Sequence, residues 1–435
     1  MEQGEFERRL ATAETCWAAV VLLLERLRGR PPDDSPRTAT CSRYDTWSEL
    51  SAEVAEHFER NPSDGELAAH DRERIATWTS GGSDLDAVDA VAWGIDVAAA
   101  GTFPTAWRDE LCRAGATRHQ LRAGQLYPVA DPAWPMPGRR PSSRPCSVND
   151  VLHGELPHVR AHRDAGVDVI AEFGFGEALA PVFGVLDRVA TVHPNETLLE
   201  FDFPAGARTF PVTVRDPRRQ LAVAMELIER AIDEGARLVL LPELSATREI
   251  VDAIERRLID EERDVIVVAG SLHCQLRQRR VNRSETIVAG IGRRISHTKI
   301  VPFRDEVQHR PASKEGIDNP RRPSLTIHHA DHFRFCVVIC KDYIDSALAA
   351  VLDRVAANVI CIPAMSHKTD PFVARAHAHV VDAQSLSLIA NGPISWSDDA
   401  RPKHTIIGRP IAGDPVESYE IASAPDVQVA RTYLV

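Results

Sequence analysis

Long apolar runs are missing from this chain of 435 residues. The longest one near the start covers only residues 16–24, whereas a helix needs about 20 apolar residues to span a bilayer. Acidic Glu2, Glu5, Glu7 and Glu14 precede this run, without a basic leader or a small-residue cleavage site. The sequence therefore predicts a cytoplasmic protein with no membrane partner.

An excess of basic residues is also missing, since 51 Lys and Arg stand against 63 Asp and Glu, a formal net charge of -12. A large basic face is therefore not expected, which argues against nucleic acid as a partner. The eight cysteines contain no C-x-x-C pair, so neither a disulfide framework nor a zinc knuckle is predicted. The length favours two domains of unequal size.

Residues 1–126 carry helical periodicity and are predicted to form a mostly helical N-terminal domain. Apolar side chains recur in steps of three and four from Phe6 to Leu27, which predicts one helix that Gly29 and Pro31 end. Similar patterns predict further helices at residues 47–60, 66–78 and 85–99. This region shows no cluster of reactive side chains.

Residues 127–196 are predicted to be a proline-rich linker followed by a segment of mixed character. Prolines recur between residues 128 and 145, which excludes a helix or an inner strand there. From residue 197 to residue 435, strands alternate with helices, the pattern that is typical of α/β layering.

Three reactive side chains stand in or at the ends of apolar stretches in the last region. Glu243 follows a strand, Lys299 lies in an apolar stretch, and Cys340 ends another strand. A buried charge costs several kcal/mol unless it has a partner or a task. The three supply a base, a cation for a developing oxyanion and a nucleophile, the parts that acyl transfer needs. The alternative is a structural ion pair between Glu243 and Lys299 beside an inert thiol.

The local sequences around these residues resemble a known family, the nitrilase or carbon-nitrogen hydrolase superfamily. Its three signatures occur here in the family's order: Leu240-Leu241-Pro242-Glu243, Lys299-Ile300-Val301-Pro302 and Val338-Ile339-Cys340-Lys341-Asp342. Intermediate features also match, among them Asn282 before a predicted hairpin. The resemblance covers about residues 197–435.

The resemblance implies an αββα sandwich for this region and a Glu-Lys-Cys triad. Glu243 would be the general base and later the acid, Cys340 the covalent nucleophile and Lys299 the stabiliser of the tetrahedral intermediate, with the Lys341 backbone N–H completing the oxyanion site. Glu306 fits the family's second glutamate, with Asp305 as its rival. Three residues are expected to line the substrate pocket: Lys341, Tyr343 and Met365. No metal and no cofactor are implied, and self-association into a homo-oligomer is expected.

The leading hypothesis is an amidohydrolase that cleaves a non-peptide C–N bond of an amide, or a nitrile, through an acyl intermediate on Cys340. A second hypothesis keeps the thioester and transfers the acyl group to an amine, so that the enzyme makes an amide. A third is a partner-binding regulatory protein with a nitrilase-like scaffold. The sequence leaves the substrate open.

Overall fold

The structure is a computed structural model that divides into two compact units, Met1–Asp164 and Ala165–Val435. It describes the following residues: 1–28, 42–60, 65–80, 85–129, 156–204, 208–261, 263–304, 314–318, 320, 322–383, 385–396, 401–409, 416–421 and 424–432. Within these ranges, none of the helices has the length and apolar character needed to cross a bilayer.

The first unit is mostly helical, as the sequence predicts. Its helices are α1 (Gln3–Ala11), α2 (Cys16–Leu27), α3 (Ser42–Arg60), α4 (Ala69–Trp78), α5 (Leu85–Ala99) and α6 (Phe103–Cys112). Its short strands are β1 (Arg118–Gln120), β2 (Leu126–Pro128) and β3 (Val159–Ala161). Helix α5 packs against α2 and α3. Most of the predicted linker, residues 130–155, lies outside the described residues.

The single helix predicted from Phe6 to Leu27 is wrong, because the chain breaks it into α1 and α2. Thr15 adopts an extended backbone, and its side chain accepts a hydrogen bond from the Ala18 N–H at 3.1 Å, which starts a new helix. Phe6, Leu10 and Trp17 are nevertheless buried, so the apolar spacing correctly identifies the packed side.

The second unit contains two main sheets and the helices that cover them. Its helices are α7 (Gly176–Gly184), α8 (Pro217–Asp233), α9 (Arg248–Leu258), α10 (Lys341–Ile344), α11 (Ser346–Arg354) and α12 (Asp370–Ala383). Strands up to the central hairpin are β4 (Asp168–Glu172), β5 (Arg188–His193), β6 (Phe201–Asp202), β7 (Arg208–Thr209), β8 (Thr213–Val214), β9 (Leu238–Leu240), β10 (Ile266–Val268), β11 (Leu272–Leu276), β12 (Arg279–Val288) and β13 (Arg294–Thr298). The later strands are β14 (Lys314–Glu315), β15 (Ser324–Ala330), β16 (Phe333–Val337), β17 (Val359–Ala364), β18 (Leu386–Asn391), β19 (Thr405–Gly408), β20 (Val416–Tyr419) and β21 (Asp426–Arg431).

The two sheets pack face to face and form the expected αββα sandwich. One sheet runs in the order β4-β15-β16-β17-β18-β19-β20, and the other in the order β11-β12-β10-β9-β5-β21 with β13 beside β12. Strands β17 and β18 contact β9, and the hydroxyls of Thr191 on β5 and Thr405 on β19 hydrogen-bond across the interface. Helices α8 and α9 cover one outer face, and α12 covers the other. The fold prediction is thereby confirmed.

Strand composition follows from this layering. Every residue of β17 and β18 is buried, because a helix covers one face of these central strands and the second sheet covers the other. Helix α8 buries only one side, on which Leu227, Ile228 and Ile232 pack against the sheet. Asp216 caps its N-terminus by accepting the Arg219 N–H at 3.0 Å.

The sandwich begins earlier in the chain than residue 197, the predicted boundary. Strands β4 and β5 pair with β15 and β9, so they belong to the two main sheets. The sequence predicts a segment of mixed character here because Gly174, Gly176 and Pro181 interrupt the pattern of residues 147–194. Long-range pairing with strands far along the chain, which no local pattern shows, places β4 and β5 in the core.

Candidate active site

The structure brings Glu243, Lys299 and Cys340 together in the second unit. Glu243 follows β9, Lys299 follows β13 and Cys340 follows β16. The Lys299 Nζ donates to Glu243 Oε1 at 2.6 Å, and the Cys340 thiol is near enough to the Glu243 carboxylate for each group to shift the pKa of the other. All three are buried, with exposed fractions of 4%, 2% and 4% respectively.

Strand β17 fixes the backbone at two of these residues. The Cys340 N–H donates to the Pro363 carbonyl at 2.8 Å, and the Glu243 N–H donates to the Ala364 carbonyl at 3.2 Å. The residues that carry the carboxylate and the thiol are thus attached to consecutive residues of one fully buried strand. Such support restricts the relative movement of the two side chains.

The loop that carries Glu243 packs closely against Gly270. Gly270 has φ +72°, and a Cβ built there would lie 2.2 Å from the Pro242 carbonyl oxygen, so only glycine fits. The next residue, Ser271, accepts the Leu244 N–H on its Oγ at 3.1 Å. These two contacts explain why a Gly-Ser pair follows β10.

Asp342 connects the thiol to the segment after Lys299. Its carboxylate is fully buried and accepts the backbone N–H groups of Ile300 at 3.1 Å and Val301 at 2.7 Å. His297 Nε2 lies 3.3 Å from the same carboxylate. The acidic residue of the Cys-x-Asp signature therefore positions the strand end that bears Lys299 and satisfies its own charge with backbone donors.

Cys340 has an unfavourable backbone conformation, with φ 49° and ψ -104°. Residues with a Cβ rarely adopt this region, and such strain clusters at functional sites. Cys340 immediately precedes α10. Among the described residues, the Lys341 N–H has no hydrogen-bond acceptor, so a backbone donor remains available beside the thiol.

Glu315 is a second glutamate beside Lys299, and the sequence prediction missed it. Its Oε2 accepts the Lys299 Nζ at 2.7 Å and the Phe303 N–H at 2.8 Å. The predicted residue for this place, Glu306, lies outside the described residues, as does Asp305. Glu315 stands in the two-residue strand β14, where no apolar run marks it, so no local signal identifies it.

Asn282 and His273 complete the polar cluster. The Asn282 Nδ2 donates to Glu243 Oε1 and to Glu315 Oε1, at 2.9 Å in each case, so one amide group holds both carboxylates. His273 Nδ1 accepts the Val212 N–H at 2.9 Å, which assigns the hydrogen to Nε2, and Nε2 lies 3.1 Å from Glu315 Oε1. The histidine therefore donates to Glu315.

The pKa values of the cluster depart from their usual ranges for identifiable reasons. Burial raises the pKa of Glu243, and Glu315 adds to this, against the opposing effect of Lys299. Burial alone would raise the pKa of Glu315, but Lys299 and the hydrogen bond from His273 hold it below its ordinary value. Burial disfavours the Lys299 ammonium, yet the two carboxylates outweigh it and raise the pKa of Lys299. Burial, then Glu243, raise the pKa of the Cys340 thiol. The resting thiol is therefore protonated and needs a base.

Two cavities meet at this cluster. The larger, of about 790 Å³, is lined by Cys340 and Lys341, and the smaller, of about 350 Å³, is lined by Glu243, Lys299 and Met365. Both are lined by Phe303, Ser366 and His367. Lys341 and Met365 therefore each line one of the two cavities, and their contact with a substrate stays a prediction.

Tyr343 is a correction, because it does not line either of these cavities. Its side chain is fully buried, its hydroxyl donates to Ser387 Oγ at 2.9 Å, and its ring stacks on His379 with centroids 5.4 Å apart. The short helix α10 turns the third residue after Cys340 into the core between α12 and β18. Tyr343 packs there and supports the sheet.

Among the described residues, one group of His and Asp side chains in the first unit has a spacing that could hold a metal ion. The ligand atoms of His57, His70 and Asp71 lie within 4.8 Å of one another. Asp71 is already hydrogen-bonded to His57 at 2.9 Å and to the Ala68 N–H at 3.0 Å, which accounts for its burial. These hydrogen bonds explain the position of Asp71 without a metal ion.

Comparisons with known proteins give structural neighbours only. No protein-family model matches the chain, and no curated protein matches it. Among solved structures, the chain is similar to an amidase from Nesterenkonia sp., with 18% identity over 57% of this chain and 90% of that chain and a TM-score of 0.39. It is similar to Saccharomyces cerevisiae Nit3, a member of branch 10 of the nitrilase superfamily, with 17% identity over 57% of this chain and 90% of that chain and a TM-score of 0.39.

Proposed function

We propose that the second unit is a carbon-nitrogen hydrolase that cleaves an amide through a thioester on Cys340. The observation that carries this proposal is a buried glutamate that hydrogen-bonds a buried lysine and lies beside a thiol, where the thiol stands on a strained turn and lines a cavity. Each part of a covalent acyl transfer is then present within one small volume.

The reaction uses one proton that moves between Cys340 and Glu243. Glu243 takes the thiol proton while the sulfur attacks the amide carbon, and then gives this proton to the departing nitrogen, which leaves as ammonia or an amine. Water next attacks the thioester and loses a proton to Glu243, which returns it to the sulfur as the carboxylic acid leaves. The raised pKa of Glu243 suits a group that must act as both base and acid.

Lys299 and the turn after Cys340 supply the donors for the tetrahedral intermediate. A lysine ammonium has three N–H groups, and Glu243 and Glu315 accept two of them. The third N–H and the Lys341 backbone N–H are donors for the oxygen that becomes negative. Glu315, fixed by His273 and Asn282, acts as a positioning residue for Lys299.

A purely structural ion pair accounts poorly for the same residues. The cluster buries two carboxylates against one ammonium, so its charges do not balance, and burying even a balanced pair brings little net stability. A structural role also gives no reason for the strained backbone at Cys340. The cluster is therefore better explained as a reaction site.

Intact-mass spectrometry tests the proposal directly. The purified chain is incubated with a panel of amides and nitriles, and an acyl adduct on Cys340 is expected, mapped by peptide digestion. The variant Cys274→Ala, which removes a partly exposed thiol on β11, should still form the adduct, whereas Cys340→Ala should not. Product analysis with an added amine separates hydrolysis from acyl transfer, the alternative fate of the thioester. An adduct that forms equally in Cys340→Ala, or no adduct and no turnover with any compound, would contradict the proposal.

A further inference from the structure

Lysine is scarce in this chain, and its few lysines are concentrated at the reaction site. Only five of the 51 lysines and arginines are lysines. Lys299 belongs to the catalytic cluster, and Lys314, Lys341 and Lys368 all line the larger cavity, the one that Cys340 also lines. The fifth, Lys403, forms an ion pair with Glu420 at 2.7 Å. A chain that uses arginine for its general basic surface thus uses lysine mainly around the nucleophile.

Among the described residues, the Lys and Arg side chains in the wall of the larger cavity have no acidic neighbour in that wall. Arg304 joins the three lysines, and the described lining residues include no Asp or Glu. In the part of the chain that the structure describes, none of these four cations forms an ion pair. Elsewhere many basic residues have acidic partners, as Arg294 has Asp252 at 2.7 Å. The cavity wall is therefore electropositive in a protein whose formal net charge is -12.

Two of these cations face each other across a strand bridge. Arg304 and Lys314 are opposite residues in an isolated antiparallel bridge, which brings their Cβ atoms to roughly 4.5–5.5 Å of one another. Like charges directly opposite in a bridge destabilise it. Solvent screens the repulsion between the two cations only in part. An anion bound between or beside their side chains would offset it further.

The smaller cavity differs in character from the larger one. Glu243, Lys299 and Glu315 line one part of it, and apolar side chains form most of the remaining wall: Phe203, Val212, Leu244, Met365 and Trp396. A substrate bound at Cys340 therefore meets unpaired positive charge in the larger cavity, and in the smaller one an apolar surface beside two carboxylates that would repel an anion. This division assigns any charge that the substrate carries to the larger cavity.

We propose that the substrate of this site is an amide that bears an anionic group, a carboxylate or a phosphate, which the cations of the larger cavity bind. This inference rests on the proposed function and adds the substrate class to it. Lys314, Lys341, Lys368 and Arg304 present charged N–H donors to the anionic oxygens, and such charge-assisted hydrogen bonds are stronger than neutral ones. The same potential draws anions towards the cavity at low salt.

Turnover of matched amides tests the charge preference. The compounds share one chain length: pentanamide is neutral, the monoamide of glutaric acid carries a carboxylate, 4-phosphonobutanamide carries a phosphonate, and 4-aminobutanamide is cationic. The kcat/KM of at least one anionic amide should exceed that of pentanamide by roughly 10- to 100-fold, the range of charge-assisted hydrogen bonds, and the cationic amide should be poorest. A preference for the carboxylate or for the phosphonate compound shows which of the two anionic groups the natural substrate carries.

Charge-removing variants connect the preference to the cavity. Lys368→Gln and the double variant Arg304→Gln/Lys314→Gln should each bring the ratio of anionic to neutral kcat/KM towards one. Arg256→Gln is the matched control, since Arg256 is exposed on α9 and is not among the cavity lining residues. An anionic preference that survives all three cavity substitutions would overturn the assignment of these residues.

Binding to the Cys340→Ala variant separates this inference from the proposed reaction. Titration calorimetry should show tighter binding of the glutaric monoamide or the phosphonate than of pentanamide, with the difference lost in Cys340→Ala/Lys368→Gln. If the wild-type chain forms no thioester but this binding difference is present, the anion site stands and the hydrolase proposal fails. If amides are turned over but no anionic compound binds better than pentanamide, the hydrolase proposal stands and the anion site is refuted.

Discussion

Replacing Cys340 by alanine is expected to lower kcat/KM by about 10,000-fold or more, because the covalent step loses its nucleophile. The free energy of unfolding should change by only about 1 kcal/mol, since the substitution removes one buried sulfur and leaves the backbone turn in place. Amide hydrolysis by steady-state kinetics and unfolding in urea, measured on the same preparation, give both quantities.

Two further variants decide how this result is interpreted. Cys274→Ala should keep wild-type kcat/KM, because Cys274 lies on β11 and does not line either cavity. Cys340→Ser should retain at most a small residual rate, since a hydroxyl is a poorer nucleophile than a thiol at the same position. Wild-type hydrolysis by Cys340→Ala, with a native unfolding midpoint, would show that the thiol is not the nucleophile.

Replacing Lys299 by methionine should affect both activity and stability strongly. The variant leaves Glu243 and Glu315 buried without their cation, and breaking a buried ion pair in this way costs about 3–5 kcal/mol of unfolding free energy. Loss of the ammonium beside the intermediate should lower kcat by at least about 100-fold. Chemical denaturation and steady-state kinetics measure the two effects.

The stability loss in Lys299→Met should depend on pH with a definite sign. Without the ammonium, burial and mutual repulsion raise the pKa values of both carboxyl groups, so the folded state binds more protons than the unfolded state. The difference in unfolding free energy from the wild type should therefore grow as the pH rises from about 5 to about 8. Lys403→Met is the matched control, since Lys403 lies at the surface in an ion pair with Glu420, and no pH-dependent loss is expected. A pH-independent difference would refute the buried ion pair.

The sequence predicts the reactive trio because each member interrupts a local apolar pattern and because the three segments resemble, in order, the signatures of a known family. A glutamate after a strand, a lysine inside an apolar stretch and a cysteine before two charged residues are visible without a structure. Glu315 is not visible in this way: it lies in a two-residue strand, and only the distances to Lys299 and His273 identify its position.

Other predictions fail where tertiary packing overrides local pattern. Tyr343 follows Cys340 closely, yet the tight turn into α10 directs it into the core, where Ser387 accepts its hydroxyl hydrogen. Strands β4 and β5 are short and their interval contains helix breakers, so the sandwich boundary depends on pairing with β15 and β9. The break before α2 depends on one threonine side chain that a periodic apolar pattern does not register.

The positive φ of Cys340 lowers the stability of the folded chain at the residue whose thiol we propose as the nucleophile. Glycine adopts such a backbone freely, and relief of the strain is worth about 1–3 kcal/mol, more than the roughly 0.5–1 kcal/mol that glycine's freedom in the unfolded chain subtracts. Directed evolution for heat resistance alone would therefore favour glycine at this position. Variants selected in this way would lose the thiol that we propose as the nucleophile.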